Sequence, residues 1–422
     1  MRSAGYYLTA RQAADILGVA TATLYAYKSR GQLRSEKIPG RTRERRYYRE
    51  DVERLQERKE VRRDPAGAAA RGLHWGGPVL DSGITLIHNG KLYYRGRDAV
   101  KLAEATHVEQ LAALLWAAEA TESGRLFTQS SPLSSGQVKL LRTCSKDPFA
   151  RLQTALSIAA TVDLAAYDLR PAAVRQTGAR IMRLLAAMMA GHDSPAPVHR
   201  LLQHAWAPKD RAAGDMIRQA LVLCADHELN VSAFVARCAA SAGASPYDVV
   251  SAALATLRGY KHGGASERVL AVVAEADTPK HARAIVADRL RRGEGVPGFG
   301  HPLYPSGDPR AVLLIRLAEA SGNEPSWQPF RYLIKAGSAV LHDLPNVDFG
   351  LAAVARTYEL PDQAPLLMFA LGRTMGWIAH AIEEYASGEL IRPRARYTGP
   401  APGDGVRADG APLGLLDERS LA

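Results

Sequence analysis

Three segments in the second half of this 422-residue chain set histidine, aspartate or arginine among glycines and prolines. The first is Gly259-Tyr260-Lys261-His262-Gly263-Gly264-Ala265-Ser266-Glu267. Two glycines directly after a histidine predict exposed backbone at a helix start, where unpaired N–H groups and a partial positive charge gather. A histidine held there stays neutral and can donate a hydrogen bond to an oxyanion. The second is Val296-Pro297-Gly298-Phe299-Gly300-His301-Pro302-Leu303-Tyr304, followed by Asp308-Pro309-Arg310. Gly298 and Gly300 let main chain approach a ligand closely, and Arg310 is able to grip a carboxylate. The third, Leu344-Pro345-Asn346-Val347-Asp348-Phe349-Gly350, places Asp348 among apolar neighbours. Such surroundings raise a carboxyl pKa and suit a general base.

Taken singly, each has a plain structural reading. A histidine beside glycine is commonly a loop residue, a glycine-rich loop alone says little about phosphate, and Asp348 could cap the helix that follows. Two histidines and an acid also invite a metal. No pair, however, has the His-x-x-x-His spacing that puts two ligands on one helix face. Asp226-His227-Glu228-Leu229-Asn230 has His-Glu without the second histidine. No metal site is expected.

The elements that must position these groups are mostly helices. Apolar residues recur at spacings of three and four over 100–120, 149–162, 172–190, 216–225, 232–242, 247–257, 268–274, 311–320 and 366–385. No constant repeat runs through them, so one large α-helical globule is expected rather than a solenoid. Ahead of them, Ile84-Thr85-Leu86-Ile87-His88-Asn89-Gly90-Lys91-Leu92-Tyr93-Tyr94 predicts a hairpin, because Asn-Gly supplies the positive φ angles of a tight turn.

The N-terminus is different in charge. Of the formal +11, about +8 falls in residues 1–71, which hold 17 Lys/Arg against 9 Asp/Glu. A basic module on a nearly balanced body points to an anionic partner for the module, or simply to a solvated basic face. Thr9 is placed to cap a helix with Ala13, Ala14 and Leu17 on its apolar side, Gly18 ends it, and a second helix starts near Thr21 and ends at Gly31. A basic hairpin over 38–48 and a helix over 50–60 are expected next. This stretch resembles MerR-like and excisionase-type winged helix-turn-helix domains, which implies DNA or protein binding, with Arg41, Arg43, Arg45 and Arg46 as phosphate contacts.

The chain lacks the roughly 18–20 apolar residues in a row that a membrane helix needs, and its first residues lack a secretory leader. Cys144, Cys224 and Cys238 are scattered, as suits reduced thiols. A cytoplasmic protein is expected, with no membrane partner.

From about residue 78 to 400 the chain resembles the citrate synthase family in six ordered blocks. They are Asp81-Ser82-Gly83-Ile84-Thr85 with Tyr94-Arg95-Gly96-Arg97-Asp98; Asp226-His227-Glu228-Leu229-Asn230; His262-Gly263-Gly264-Ala265; Gly298-Phe299-Gly300-His301 with Asp308-Pro309-Arg310; Pro345-Asn346-Val347-Asp348; and Gly372-Arg373-Thr374-Met375-Gly376-Trp377-Ile378-Ala379-His380 with Ile391-Arg392-Pro393-Arg394. The resemblance implies a mostly α fold, a large helical domain with a small one over roughly 255–355. Around it stand a helix-turn-helix-like module at 1–60, a linker at 61–77 and a tail at 401–422. It further implies condensation of an acyl-CoA, usually acetyl-CoA, with oxaloacetate, in a homodimer or higher oligomer without a permanently bound cofactor. By position Asp348 removes the proton, His262 and His301 stabilise oxyanions, and His227, Arg310, Arg373 and the partner subunit's Arg392 bind oxaloacetate. Gly298 and Gly300 would meet the CoA. A 2-methylcitrate synthase using propionyl-CoA, and a DNA-binding regulator that senses a metabolite through this body, are the alternatives. The sequence departs from the family pattern at Tyr260-Lys261, Ser266, Cys224 and Pro305, which bears on acyl-CoA preference.

Overall fold

The computed structural model describes residues 7–37, 45–49, 51–52, 55–56, 80–321, 323–341, 343–395 and 399. The chain divides into two units, residues 1–83 and 84–422.

In the first unit β1 (Tyr7–Thr9) leads into α1 (Ala10–Leu17) and α2 (Thr21–Ser29), followed by β2 (Ser35–Lys37) and β3 (Arg45–Tyr48). Thr9 closes a capping box with Gln12, and Gly18, at φ 59°, ends α1 in the left-handed conformation that glycine favours. The strands form an antiparallel sheet in the order β1-β3-β2, so the basic hairpin gains a third strand that the sequence pattern did not announce. Leu8, Ala13, Ala14, Leu17, Leu24, Leu33, Tyr47 and Val52 make its core. The hairpin tip with Arg41 and Arg43, most of the expected 50–60 helix, the 61–77 linker and the 401–422 tail lie outside the described residues.

The second unit opens with the expected hairpin, β4 (Thr85–His88) and β5 (Lys91–Tyr94), in register His88↔Lys91. Asn89 and Gly90 take φ 51° and 72°. Arg95 and Gly96, at φ 48° and 77°, make a second tight turn into β6 (Arg97–Asp98).

Helices follow: α3 (Ala99–Ala105), α4 (Val108–Leu115), α5 (Ala120–Leu126), α6 (Ser135–Thr143), α7 (Pro148–Val162), α8 (Pro171–Ala190), α9 (Val198–Trp206), α10 (Arg211–Leu223), α11 (Val231–Ser241) and α12 (Pro246–Leu257). Then come α13 (Ala265–Glu275), α14 (Pro279–Arg291), α15 (Pro309–Ala320), α16 (Glu324–Ser338), α17 (Val347–Thr357) and α18 (Ala364–Ser387). Among the described residues, no helix is long and apolar enough to cross a membrane.

Two hydrophobic cores organise these helices. The larger surrounds α18, which is buried on every side over most of its length and packs on α8, α10, α11 and α12. A helix that is apolar all round belongs at the centre of a large protein. The smaller core joins Val269, Val272 and Val273 of α13, Val286 of α14, Trp327 and Phe330 of α16, and Phe349 and Ala352 of α17. Helices α15 and α17 serve both. Leu313, Leu314 and Leu351 face the larger core, whereas Ala318, Phe349 and Ala353 face the smaller. The N-termini of α15 and α17 therefore lie where the cores meet, and they carry Arg310 and Asp348.

Close packing around α18 leaves no room at Gly376, whose backbone N–H donates to Ala225 O at 3.0 Å. A Cβ there would sit 2.5 Å from that carbonyl oxygen. Gly376→Ala is expected to lower unfolding free energy by about 3 kcal/mol, the upper part of the usual overpacking range. Gly124→Ala, where a Cβ meets nothing within 4 Å, serves as the control in thermal melts. It should leave stability unchanged or raise it by up to about 1 kcal/mol.

Candidate active site

His262 sits in the turn between α12 and α13. The turn folds tightly back on α12: a Cβ at Gly263 would lie 2.9 Å from Leu257 O, and one at Gly264 would lie 3.0 Å from Arg258 O. Contrary to the expectation from sequence, the glycine N–H groups are not free. Gly263 donates to Leu257 O at 2.9 Å and Gly264 to Gly259 O at 3.3 Å. The imidazole is nevertheless held neutral, its pKa lowered to about 4 by burial and then by Arg373. Its Nε2 lies 2.9 Å from Ser232 Oγ, which in turn accepts the indole N–H of Trp377 at 3.1 Å. Ser232 is placed by Asn230, the N-cap of α11.

His301 belongs to a loop that is zipped to the segment before Asp348. Gly300 N–H donates to Leu344 O at 2.9 Å, Asn346 N–H to Gly298 O at 2.8 Å and Asn346 Nδ2 to Gly300 O at 3.1 Å. Gly298 and Gly300 take φ 85° and 80°. A Cβ at Gly298 would meet Val269 Cγ2 at 2.8 Å, and one at Gly300 the Asp343 carboxyl at 2.9 Å. Loop packing alone thus accounts for both glycines. The His301 Nδ1 accepts Leu303 N–H at 3.2 Å, which leaves the ring proton on Nε2. Burial and Arg310 lower this pKa to about 4 also.

His227 is buried, with Nε2 3.0 Å from Tyr304 Oη and its ring edge-on to His301 at 4.9 Å between centroids. Burial, and then Arg310, hold it well below the usual histidine range.

Asp308 and Arg310 form a two-pronged ion pair, Nε to Oδ1 at 2.9 Å and Nη2 to Oδ2 at 2.8 Å, with side chains 1% and 2% exposed. Asp308 Oδ2 also accepts Val347 N–H at 3.0 Å, the first residue of α17. Asp348 follows, in a helix capped by Asn346 rather than by Asp348 itself. Its Oδ1 is buried without a hydrogen-bond partner among the described residues. Burial raises its pKa to about 7, with Arg310 and Arg373 pulling it down and Asp308 pushing it up.

Arg373 lies on α18, held by Nε donating to Cys224 O at 2.8 Å and stacked 4.8 Å from the Phe369 ring centroid. Its Nη2 is buried without a partner among the described residues. Burial pushes the Cys224 thiol up to about 12, so it is no nucleophile. Arg310 and Arg373 thus form the electrostatic centre. His262 feels Arg373, His301 feels Arg310, and Asp348 and His227 feel both.

Arg392 is exposed beyond the end of α18. In the first unit Arg45 Nη1 donates to Ser35 Oγ at 3.2 Å. Arg46 is forked onto Glu36 Oε2 at 2.9 and 3.3 Å, and lies 3.8 Å over the Tyr7 ring. These two arginines are engaged across their own sheet. Among the described residues, no group of three or more His, Cys, Asp or Glu is placed to hold a metal.

Sequence reasoning passed over Ser232, Trp377, Tyr304 and the buried pair of His380 with Asp226 (Nε2–Oδ1 3.3 Å). For Ser232 and Tyr304 a signal existed, two residues after Asn230 and three after His301.

Residues 72–394 match the model of the citrate synthase C-terminal domain, and residues 8–64 that of MerR HTH family regulatory proteins. Citrate synthase 2 of Bacillus subtilis is 30% identical over 361 residues, covering 79% of this chain and 96% of the relative. The citrate/2-methylcitrate synthase of the same organism is 27% identical over 343 residues, covering 74% and 91%. Among solved structures, the citrate synthase of Thermoplasma acidophilum in ternary complex with carboxymethyl coenzyme A and oxaloacetate superimposes with TM-score 0.69. It is 24% identical and covers 81% of this chain and 98% of that one. On the extent of these matches and the fold they share, the chain belongs to the citrate synthase family.

Proposed function

We propose that this protein condenses acetyl-CoA with oxaloacetate to give citrate and CoA. The observation that carries the reading is the Asp348 carboxyl, poised near neutrality with a bare Oδ1 in the field of two buried arginines, Arg310 and Arg373. The Asp348 carboxylate takes a proton from the acyl methyl group. Ser232 Oγ donates to Asn230 Oδ1 at 2.8 Å and lies 2.9 Å from His262 Nε2, so the serine fixes the orientation of the imidazole. His262, held neutral by burial, donates its ring proton to the thioester oxygen as it becomes an enolate. His301 donates its Nε2 proton to the ketone oxygen while the enolate carbon attacks. Oriented donors of this kind contribute about 3–4 kcal/mol each to lowering the barrier. Water then attacks the thioester carbonyl of the citryl-CoA, breaking the C–S bond and releasing CoA as the thiol.

Arg310 and Arg373 receive the oxaloacetate carboxylates, with His227 beside them. Arg310 has two of its nitrogens committed to Asp308, so it presents its remaining edge. The partner subunit's Arg392 completes the site in a homodimer, which its exposure in the single chain supports. The CoA lies along the loop of Gly298 and Gly300. The name of the citrate/2-methylcitrate synthase relative supports propionyl-CoA as a second donor, because one methylene changes transition-state binding by only about 1–3 kcal/mol.

The MerR-type match over residues 8–64 and the basic charge there favour a second role, DNA binding by the N-terminal unit. A bifunctional chain satisfies both readings.

Release of CoA from acetyl-CoA and propionyl-CoA with oxaloacetate tests the enzyme directly. Asp348→Ala should lower kcat by about 10²–10⁴, the span of general base catalysis, and His262→Ala or His301→Ala by about 10²–10³. Wild type inactive on both thioesters ends the proposal. With both histidines neutral above about pH 5, kcat/KM should rise tenfold per pH step below about 7 and level off above it, tracking Asp348 alone. Its raised folded pKa stabilises the protein below about pH 4, and that contribution is lost as pH rises through about 7. Asp348→Asn should therefore raise the melting temperature at pH 8 more than at pH 4. For the second role, the full chain should bind duplex DNA with affinity falling steeply between about 50 and 200 mM salt. A salt-insensitive or undetectable interaction removes it.

A further inference from the structure

Away from the catalytic cluster, a cavity of about 280 Å³ opens between the start of α7, the ends of α8 and α9, and the approach to α18. Leu152, Met188, Met189 and Leu367 form apolar walls, with Trp206 beside them and Arg142 and Arg151 at the side. Neither arginine makes an ion pair among the described residues, and the contact joining them is Arg151 Nη1 donating to Arg142 O at a long 3.4 Å. Arg142 is accommodated by Gly191, at φ 94°, where any Cβ would overlap its guanidinium. The C-terminal end of α8 faces it there, yet no carbonyl of α8 accepts a hydrogen bond from it. Burial and the neighbouring Arg151 both press against the Arg142 charge.

Two like charges brought together beside a cavity with Leu152, Met188, Met189 and Leu367 on its walls, and with no ion-pair partner among the described residues, mark a receptor for an anion rather than a stabilising pair. Guanidinium forks match carboxylate and phosphate geometry. The apolar walls call for a hydrophobic body, and the volume exceeds the roughly 150 Å³ that holds benzene in an apolar cavity. We propose that this cavity binds a small organic anion, a carboxylate or phosphate ester on a planar apolar group. The head lies between Arg142 and Arg151, and the body lies against Trp206, Met188 and Met189.

Calorimetric titration of the full chain with benzoate and with phenyl phosphate tests this, with benzyl alcohol as the neutral counterpart. Saturable binding of at least one anion is expected, at least tenfold weaker in Arg151→Gln and largely kept in Arg151→Lys. Which anion binds tells carboxylate from phosphate. Without ligand, Arg151→Gln should melt at the wild-type temperature or above, since it relieves repulsion. Failure of both anions to bind, binding unchanged in Arg151→Gln, or equal binding of benzyl alcohol overturns the proposal. A clear fall in the unliganded melting temperature also overturns it, because the arginine would then be a structural member of the fold.

Discussion

One buried carboxylate holds the catalytic region together. Asp308 caps α15 by accepting Arg310 N–H at 3.0 Å, takes both prongs of the Arg310 guanidinium, and accepts the first N–H of α17. A buried ion is tolerable only when its lone pairs are filled, and removing one partner of such a pair typically costs about 3–5 kcal/mol. This wiring fixes the starts of two helices against each other at the boundary of the two cores. Arg310 and Asp348 are therefore set in relation to one another before any ligand arrives. The zipped backbone of residues 298–300 and 344–346 adds His301 to the same rigid frame.

The histidines acquire their character from what they touch. Among the described residues neither His262 nor His301 is bonded to a carboxylate; their partners are a serine hydroxyl and a backbone N–H. A carboxylate in either place would raise the ring pKa and favour the imidazolium, which binds anions but is a poorer match for a reversible oxyanion. Burial and nearby arginines drive the other way. The same burial has the opposite effect on Asp348, raising it toward neutrality, because desolvation always disfavours the charged form. A single property of the site thus yields neutral imidazoles and a carboxyl poised near neutrality.

Much of this was legible in the sequence, and the gaps have physical causes. The Asn89-Gly90 hairpin, the Thr9 cap and the long buried helices appear because turn chemistry and apolar periodicity are local. Helix α14 did not register because only Ala282 and Val286 of its thirteen residues are buried, and α16 because Pro325 and Pro329 read as breaks. Helix α17 was read only as the helix that Asp348 could cap, whereas Asn346 caps it. His262 was correctly expected to be neutral for the wrong reason, since the glycine N–H groups after it are spent within the turn. The Ser232–Trp377 link spans 145 residues, and no local pattern encodes a contact of that range. Arg45 and Arg46 looked like free cations until the sheet register placed Arg46 opposite Glu36.

Native interiors pair nearly all of their buried polar atoms, so the exceptions carry information. Asp348 Oδ1 and Arg373 Nη2 are two such exceptions, one acceptor and one donor, within one charged cluster. They do not satisfy each other, although opposite charges this close would gain by meeting. The frame built by Asp308 and Asn346 holds Asp348 on α17, while Cys224 O and Phe369 hold Arg373 on α18. Collapse of the two groups into an ion pair would lower the Asp348 pKa and leave it a weak base. Keeping them apart costs folding stability and preserves a carboxylate that can take a proton and a guanidinium that can take a carboxylate. The rigidity of the helices is what makes that separation possible.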